Sequence, residues 1–415
     1  MTAQPTGVAA FLARHAALLG GLPGDPAPRA AAVTAFRALG MPGAAAGRRE
    51  EAWKYTSLRA LAEAPLSDRA STATPELPAS LAPARLVLVD GRLRRDLSVL
   101  PDGIAVTAFA EHPDFDPMAG TETRVLAAMN TMFAADGVTI AVPAGLDAGT
   151  IALLSFTTHG QAAHPRHTVV LDAGARLTLL ETATGTGRYL HNPLTVIRLA
   201  AGARLTHLRL QDESDAAFHL ALIAAELDLG ATYDGFTLAA GAQLARTEFH
   251  AVLAGAGAHA GFSAAQLLSG TRHADLTSVI RHAAPHGTSR QSVKTVLTGA
   301  ARGVFQGRIE VARDAQKTDG YQMSQALLLS DAAEMDVKPE LEIFADDVKC
   351  SHGATLGALD PDQLFYLRAR GITEGAARAL LVRAFLAEAL ETVPHAGASA
   401  AMAAAVDRWW DHNGT

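Results

Sequence analysis

The pattern of apolar and polar positions divides this chain into a middle part with short apolar runs and two ends with helical spacing. From about residue 85 to 348 the apolar residues fall in short runs, separated by Gly-Ala, Asp-Gly or His-Asn turns. Short apolar runs bounded by turn residues are typical of β-strands. The predicted strands include residues 86–89, 138–142, 151–156, 168–171, 177–181, 205–210 and 220–227.

The turns between these strands repeat. Gly174, Gly202 and Gly230 each precede an alanine and are evenly spaced along the chain, whereas the similar turn at Gly241 breaks the period. A repeated unit of strand, glycine corner and strand, without long helical crossovers, predicts a mainly β fold of stacked coils, a β-helix or β-solenoid. A large β-sandwich is the alternative that the pattern leaves open.

Helical spacing marks both ends of the chain. Residues 7–19 and 30–39 have apolar positions at helical intervals. Near the C-terminus, Asp360 followed by Pro361 has the form of a helix N-terminus, and that helix ends at Gly371. A second helix begins at Thr373 and runs to about Val393. Because the open ends of a solenoid template aggregation, we expect the two helical regions to cap it.

A change in composition indicates the domain boundaries. Residues 66–83 are rich in Ser, Thr, Pro and Ala and lack periodicity, as a connector does. We expect an N-terminal helical domain with its linker at 1–83, a β-helix core at 84–350 and a C-terminal helical region at 351–415. The charged segment 48–56 encloses Trp53 and Tyr55, which we interpret as aromatic anchors of the first domain.

Composition and charge exclude several classes of function. A net charge of −7 and 5% aromatic residues provide neither a basic field nor stacking platforms for nucleic acid. The sequence has no run of about 20 uncharged apolar residues, so we expect no membrane span. A single cysteine in 415 residues excludes an internal disulfide and suits a reducing compartment, so we expect a cytoplasmic protein.

The single cysteine, Cys350, stands two positions before His352. Thiolate and imidazole are ligands for iron, zinc and iron–sulfur clusters, but a cluster takes about four protein ligands. The site is therefore shared with a partner, or it is not a metal site. In an extended strand the two side chains project to the same side, about 6 to 7 Å apart. The alternatives are a structural thiol at Cys350 and a turn histidine bonded to the backbone near Gly353.

An enzyme with Cys350 as nucleophile and His352 as base is disfavoured by their spacing. The base would have to come within hydrogen-bond reach of the sulfur, about 2.6 to 3.2 Å, and be oriented by a third group. No phosphate-binding Gly-x-x-x-x-Gly-Lys-Ser/Thr loop occurs in the sequence. Any ATP hydrolysis therefore belongs to a partner.

Several multi-residue blocks occur in an order and spacing similar to those of a known family. They are residues 53–56, 316–319, 327–330, 338–343, 346–355 and 365–372. On these blocks the chain resembles the SufB/SufD family, the scaffold subunits of the SUF iron–sulfur assembly system. Its length, its short N-terminal helical region and its lack of an additional cysteine cluster resemble the SufD branch of that family.

This resemblance implies a right-handed parallel β-helix that pairs with SufB, in a non-catalytic scaffold on which the ATPase SufC docks through the C-terminal helices. The docking region it implies contains Phe365, Leu381 and Phe385. It also implies that His352 lies near a cysteine of SufB at the subunit interface, where a nascent iron–sulfur cluster forms transiently and is shared. Cys350 is the second candidate ligand, with a sulfur carrier or a structural thiol as its alternatives. Whether the chain forms a homodimer in the absence of SufB is left open, as is the type of cluster.

Overall fold

The backbone winds in about eight coils, because successive strands alternate between two long sheets. The computed structural model describes residues 7–43, 51–67, 75–121 and 123–414. Residues 48–50 of the predicted charged segment and 68–74 of the predicted connector lie outside the described residues. Within the described part of the chain, one sheet has ten strands and the other has eleven, and we call them the first and second sheets.

The strands, numbered in chain order, are β1 Ala84–Val89, β2 Arg92–Leu93, β3 Ala105–Ala108, β4 Val138–Val142, β5 Asp147–Thr157, β6 Ala162–Ala163, β7 Arg166–Leu171, β8 Arg176–Gly185, β9 Leu190–His191, β10 Leu194–Leu199, β11 Arg204–Gln211, β12 Phe218–Leu227, β13 Thr232–Ala239, β14 Leu244–Leu253, β15 His259–Leu268, β16 His273–His282, β17 Thr288–Leu297, β18 Arg302–Val311, β19 Asp319–Leu328, β20 Glu334–Ile343 and β21 Lys349–Gly357. The helices are α1 Val8–Leu18, α2 Pro26–Leu39, α3 Arg59–Ala62, α4 Val125–Phe133, α5 Pro361–Arg368, α6 Glu374–Leu390 and α7 Ala396–Asn413.

The strands of each sheet are stacked one coil on the next. The first sheet has the order β2-β1-β5-β8-β11-β13-β15-β17-β19-β21, and the second has β20-β18-β16-β14-β12-β10-β7-β4-β3, with β9 paired to β12 and β6 paired to β9. All pairs are parallel except β1 with β2 and β3 with β4. Leu177 pairs with Leu205 of the next coil, and Gly320 pairs in the same way with Cys350. The predicted solenoid and its predicted strands are confirmed, and the sandwich is excluded.

Alternate side chains of each strand face the inside of the solenoid. In β11, Leu205 joins the apolar core between the two sheets, whereas Leu208 belongs to a cluster on the outside. The core includes a stack of three aromatic rings from successive strands, Tyr233, Phe249 and Phe262, with centroids 5.0 and 4.5 Å apart. The period of two along each strand therefore supplies both an inner and an outer apolar surface.

One corner of each coil is a residue in the left-handed backbone conformation. The amide of such a residue donates to a carbonyl of the next coil, as Gly202 does to Leu229 at 2.8 Å. The series is, in chain order, Gly145, Gly174, Gly202, Gly230, Gly257, His286 and Lys317. L-residues are disfavoured in this conformation, which explains the glycines and their even spacing in the sequence. His286 and Lys317 occupy the same position with φ of 60° and 63°.

The N-terminal helices cover the outer face of the second sheet. Helices α1, α2 and α4 form an apolar cluster with outward-facing leucines of that sheet, among them Leu194, Leu220 and Leu244. Every residue of α4 is buried. The outer face of β10, β12 and the start of β14 is therefore covered by the chain itself.

Trp53, one of the two predicted anchors, attaches the N-terminal region to the second sheet. Its ring lies over the guanidinium of Arg246, with 3.8 Å between the guanidinium carbon and the ring centroid. Arg246 is fully buried and pairs with Glu248 at 2.8 Å and with Asp275. Tyr55 is only half-buried, with the Lys54 ammonium 5.2 Å from its ring centroid. The anchoring contact is therefore a cation–π pair at Trp53.

The C-terminal helices cover the outer face of the first sheet. Val382 and Leu386 of α6, with Met402 and Trp409 of α7, pack on the outward side chains of β11, β13 and β15. The sequence-based expectation placed the two helical regions over the ends of the solenoid. They lie on its faces instead, because the faces carry the apolar side chains that need cover.

The boundary between the solenoid and the C-terminal helices lies a few residues later than predicted. Strand β21 continues to Gly357, past the predicted boundary at residue 350. No helix within the described ranges is both long and apolar enough to cross a membrane.

The left-handed corner at Gly230 should determine part of the stability of the solenoid. A Cβ added at Gly230 meets no atom within 4 Å, so Gly230→Ala introduces backbone strain alone. We expect it to lower the free energy of unfolding by about 1 to 2 kcal/mol. Urea unfolding followed by circular dichroism measures the change.

Two variants serve as controls for Gly230→Ala. Gly375→Ala, in the first turn of α6 and also free of neighbours within 4 Å, should not destabilise the protein. His286→Gly, at an exposed corner of the same series, should leave stability unchanged or raise it by up to about 1 kcal/mol. A Gly230→Ala protein as stable as the parent would contradict the assignment of strain to this corner.

Candidate metal and partner site at the open end of the solenoid

The last coil of the solenoid, formed by β20 and β21, leaves two strand edges unpaired. Within the part of the chain that the structure describes, β20 pairs only with β18 and β21 only with β19. Pro339 interrupts the hydrogen-bonding pattern of β20, as is typical of an edge strand. We call this surface, β20 and β21 with the residues between them, the open end.

Cys350 and His352 lie in β21 on the face that continues the interior of the solenoid. Cys350 is in register with Gly320 and His352 with Gln322, one coil earlier. The extended conformation puts both side chains on the same side of the strand, as predicted. His352 is exposed and Cys350 is half-buried. His352 lies within a strand, so the alternative of a turn histidine does not apply.

A row of polar side chains leads from the interior to His352. Gln322 is buried directly below His352, and its amide donates to the carbonyl of Gly307 in the second sheet at 3.3 Å. Below it, in register, the buried Gln291 accepts a hydrogen bond from the Ser278 hydroxyl. The sequence analysis missed Gln291 and Gln322, although they and His352 recur along the sequence at intervals close to the length of a coil.

Cys350 packs on the preceding coil. A Cβ added to Gly320 would lie 3.4 Å from the Cys350 sulfur, so the glycine leaves just enough room for the thiol. Burial raises the pKa of Cys350 and the charge of Asp319 adds to the increase, while a hydrogen bond from the Gly320 backbone opposes it. The thiol is therefore protonated at neutral pH, which disfavours a nucleophilic role and means that it must lose a proton to bind a metal.

Cys350 and His352 supply two ligand atoms and no more. Among the described residues, no group of three or more metal-ligating side chains includes either of them. Three carboxylates of this region are engaged in ion pairs: Asp319 with Arg290 at 2.9 Å, Glu340 with Arg308 at 3.3 Å and Asp347 with Lys317. The arrangement can bind iron or a cluster only if another molecule supplies further ligands.

The open end also carries exposed apolar side chains. Ile343, Phe344 and Leu356 are 37%, 61% and 56% exposed. Large apolar side chains that remain in water beside unpaired strand edges are typical of a surface that another protein covers.

The predicted docking residues on the C-terminal helices differ in exposure. Phe365 of α5 is 74% exposed, and Leu381 of α6 is half-buried. Phe385 packs against the outer cluster of the first sheet, and the Lys294 ammonium lies 4.5 Å from its ring centroid. Phe365 is therefore available to a partner, whereas Phe385 already attaches α6 to the solenoid.

Comparison with known proteins gives consistent matches. A family model described as "SUF system FeS cluster assembly, SufBD core domain" matches residues 154–385. The chain is 32% identical to the iron-sulfur cluster assembly protein SufD of Escherichia coli (strain K12) over 365 residues, which cover 84% of this chain and 86% of that protein.

Two further relatives extend the comparison. The chain is 31% identical to the iron-sulfur cluster assembly SufBD family protein slr0076 of Synechocystis, over 84% of this chain and 83% of the relative. It is 30% identical to the protein ABCI7, chloroplastic, of Arabidopsis thaliana, over 74% of this chain and 70% of the relative. The region that the family model matches contains both Cys350 and His352.

The reactivity of Cys350 tests the environment described for it. Since burial and Asp319 both raise its pKa, the rate of alkylation by iodoacetamide should reach half its maximum at a pH above the ordinary cysteine value of about 8.5. Cys350 is the only cysteine in the chain, so the loss of free thiol reports on this site alone. Asp319→Asn should lower the midpoint, and the urea-unfolded chain should show the ordinary value. A folded-state midpoint below that value would contradict the buried environment.

Proposed function

Because this chain belongs to the SufBD family of the SUF system for iron–sulfur cluster assembly, we propose that it is the scaffold subunit that pairs with SufB and carries the ATPase SufC. In this proposal it catalyses no reaction itself. The observation that supports it most strongly is the open end, where two unpaired strand edges, exposed apolar side chains and half of a metal site occur together.

Pairing through the open end is supported by the geometry of β20 and β21. A related solenoid that presents its own last coil can continue both sheets by backbone hydrogen bonds. Such pairing would cover Phe344 and Leu356 and satisfy the free N–H and C=O groups. A second copy of this chain offers the same edges, so in the absence of SufB we propose that the chain forms a homodimer.

The nascent cluster, as the product that the complex builds, would be held at this interface. His352 is the first ligand we assign, because it is exposed at the open end and a neutral imidazole can bind iron directly. Cys350 is the second, at the cost of deprotonating a half-buried thiol. The remaining ligands, about two, would come from SufB. The cluster is therefore transient and shared, and this chain alone holds none.

The C-terminal helices are the surface we assign to SufC. Helices α6 and α7 use one face to cover the first sheet, while α5 leaves Phe365 and Tyr366 exposed. Motion of the helices during the ATP cycle of SufC would be transmitted to the sheet through Lys294, which contacts both Phe385 and Glu388 of α6.

A free thiol is stable in a reducing compartment, so we propose that the protein acts in the cytoplasm.

The role of His352 can be tested in the assembled complex. The chain is co-expressed with SufB and SufC, the complex is reconstituted anaerobically with iron and sulfide, and bound iron and sulfide are measured per complex. We expect His352→Ala to reduce cluster content several-fold, because a ligand is lost, while SufB and SufC still co-purify.

The matched control is Ser351→Ala, which changes the neighbouring exposed residue on the opposite side of β21. It should leave the cluster content unchanged. Equal cluster content in His352→Ala and the parent complex, with all three subunits present, would remove His352 from the site.

SufC docking is tested by comparing Phe365→Asp with Phe385→Asp. Phe365→Asp alters an exposed side chain, so we expect loss of SufC co-purification with an unchanged melting temperature. Phe385→Asp, and to a lesser degree Leu381→Asp, should lower the melting temperature because contacts between α6 and the solenoid are lost. If Phe365→Asp retains SufC at the level of the parent chain, α5 is not part of the docking surface.

A further inference from the structure

Three metal-ligating side chains converge inside the solenoid, away from the open end. His191 is the last residue of β9 and His219 lies in β12, directly paired with it one coil later. Glu213 lies between β11 and β12. The interval between the two histidines along the sequence equals the interval between the corners Gly174 and Gly202.

The three side chains are close together and excluded from solvent. His191 Nδ1 lies 3.3 Å from one oxygen of Glu213, and His219 Nδ1 lies 2.6 Å from the other. Their side chains are 2%, 0% and 1% exposed for His191, Glu213 and His219. One ligand atom from each falls within 4.8 Å of the other two.

Despite these short distances, the polar atoms are not satisfied by hydrogen bonds. Both ring nitrogens of His191, both of His219 and Oε1 of Glu213 are buried without a well-aligned hydrogen-bond partner, although each histidine Nδ1 contacts the Glu213 carboxylate. The other carboxylate oxygen accepts from Gln211 at 3.0 Å. A buried polar atom without a partner loses its hydration and gains nothing in return. Five such atoms in one cluster indicate that something else belongs between them.

A second cluster in the same interior shows what a satisfied arrangement looks like. Glu181 accepts from His207 at 3.0 Å and from Arg209 at 3.2 Å, and His207 also contacts the Tyr233 hydroxyl at 3.2 Å. The guanidinium neutralises that carboxylate. Glu213 has no such cation, since its ion pairs among the described residues are with the two histidines alone.

We propose that His191, Glu213 and His219 form a binding site for one divalent first-row transition ion of the zinc and iron class. Two imidazole nitrogens and one carboxylate oxygen are a donor set that such ions accept in proteins. Donor atoms around a tetrahedral ion with bonds of about 2.0 to 2.2 Å are roughly 3.3 to 3.6 Å apart. His191 Nδ1 is already at this distance from Glu213 Oε1. His219 Nδ1 lies 2.6 Å from the other oxygen, Oε2, so an ion between the three groups requires the His219 ring to move away from the carboxylate or the carboxylate to rotate.

The ion would supply the positive charge that the interior lacks at Glu213. It would also accept a lone pair from one ring nitrogen of each histidine. The Gln211 side-chain amide donates a hydrogen bond to the Glu213 carboxylate, and the Gln211 oxygen accepts one from the Gly241 amide at 3.3 Å. Supporting hydrogen bonds of this kind orient metal ligands. Since the site is closed to solvent, the ion enters as the chain folds and serves to clamp two successive coils. This site is separate from Cys350 and His352 and does not depend on the proposed function.

The test measures metal in the full chain with the open-end ligands removed, so that the two sites are not confused. In a Cys350→Ser, His352→Ala background the chain is expressed once with added zinc and once anaerobically with added iron. Bound metal per chain is then measured by inductively coupled plasma mass spectrometry. We expect about one ion per chain in at least one arm, and the arm that gives it identifies the ion.

Glu213→Gln, which keeps the size of the side chain, should lose most of that ion, and so should His191→Gln. Glu181→Gln is the matched control, because it alters the other buried carboxylate and should leave metal content unchanged. The bound ion should also raise the melting temperature of the background chain over the chain refolded with a chelator. No bound ion in either arm, or equal metal in the Glu213→Gln, His191→Gln and Glu181→Gln proteins, would overturn the proposal.

Discussion

Backbone hydrogen bonds directed along the solenoid axis are the constraint from which the rest of this structure follows. Each coil donates to and accepts from its neighbours, through the parallel strands and also through the corner amides such as Gly202 to Leu229. A coil in the middle is satisfied on both sides. Among the described strands, the last coil has no neighbour on one side, so the edges of β20 and β21 stay unpaired, and the exposed apolar residues and the Cys350–His352 pair lie on this same coil.

Stacking in register has a second effect, which is to place side chains at the same position of successive coils above one another. Apolar rows result where the residues are Leu or Phe, and polar rows where they are not. The row formed by Gln291, Gln322 and His352 is polar and extends from the interior to the open end. The pair His191 and His219 arises in the same way. A solenoid thus turns a spacing in the sequence into a contact in space.

Much of the fold was predictable from sequence because its signals are local. Alternating strands and glycine corners are visible in short stretches of sequence, and the repeat reveals the stacking. Helix α4 was missed because all its sides are buried, so it has no polar face to give a period. The corners His286 and Lys317 were missed because they are not glycine. Helix α7 was missed because alanine dominates its apolar positions.

The candidate site was predictable only in part, for a different physical reason. The motif around Cys350 and His352 and the lack of further ligands are visible in the sequence, so half a site could be inferred. The side of α6 that Phe385 occupies depends on how the helix lies on the sheet, which no local pattern shows. The spacing of His191 and His219 equals the coil period, so that signal was present, but Glu213 comes from a turn outside the repeat.

The two ends of the solenoid are not equivalent, and this asymmetry limits how many subunits can associate. At the starting end the edge strands β2 and β3 are short and antiparallel to their neighbours, so they offer little to an incoming parallel strand. The edge strands of the far end, β20 and β21, are 10 and 9 residues long and parallel to their neighbours, so they offer a longer edge to a partner. In the pairing proposed above, two molecules joined at that end leave only the short antiparallel edge strands free among those described, which disfavours continued growth into a fibre.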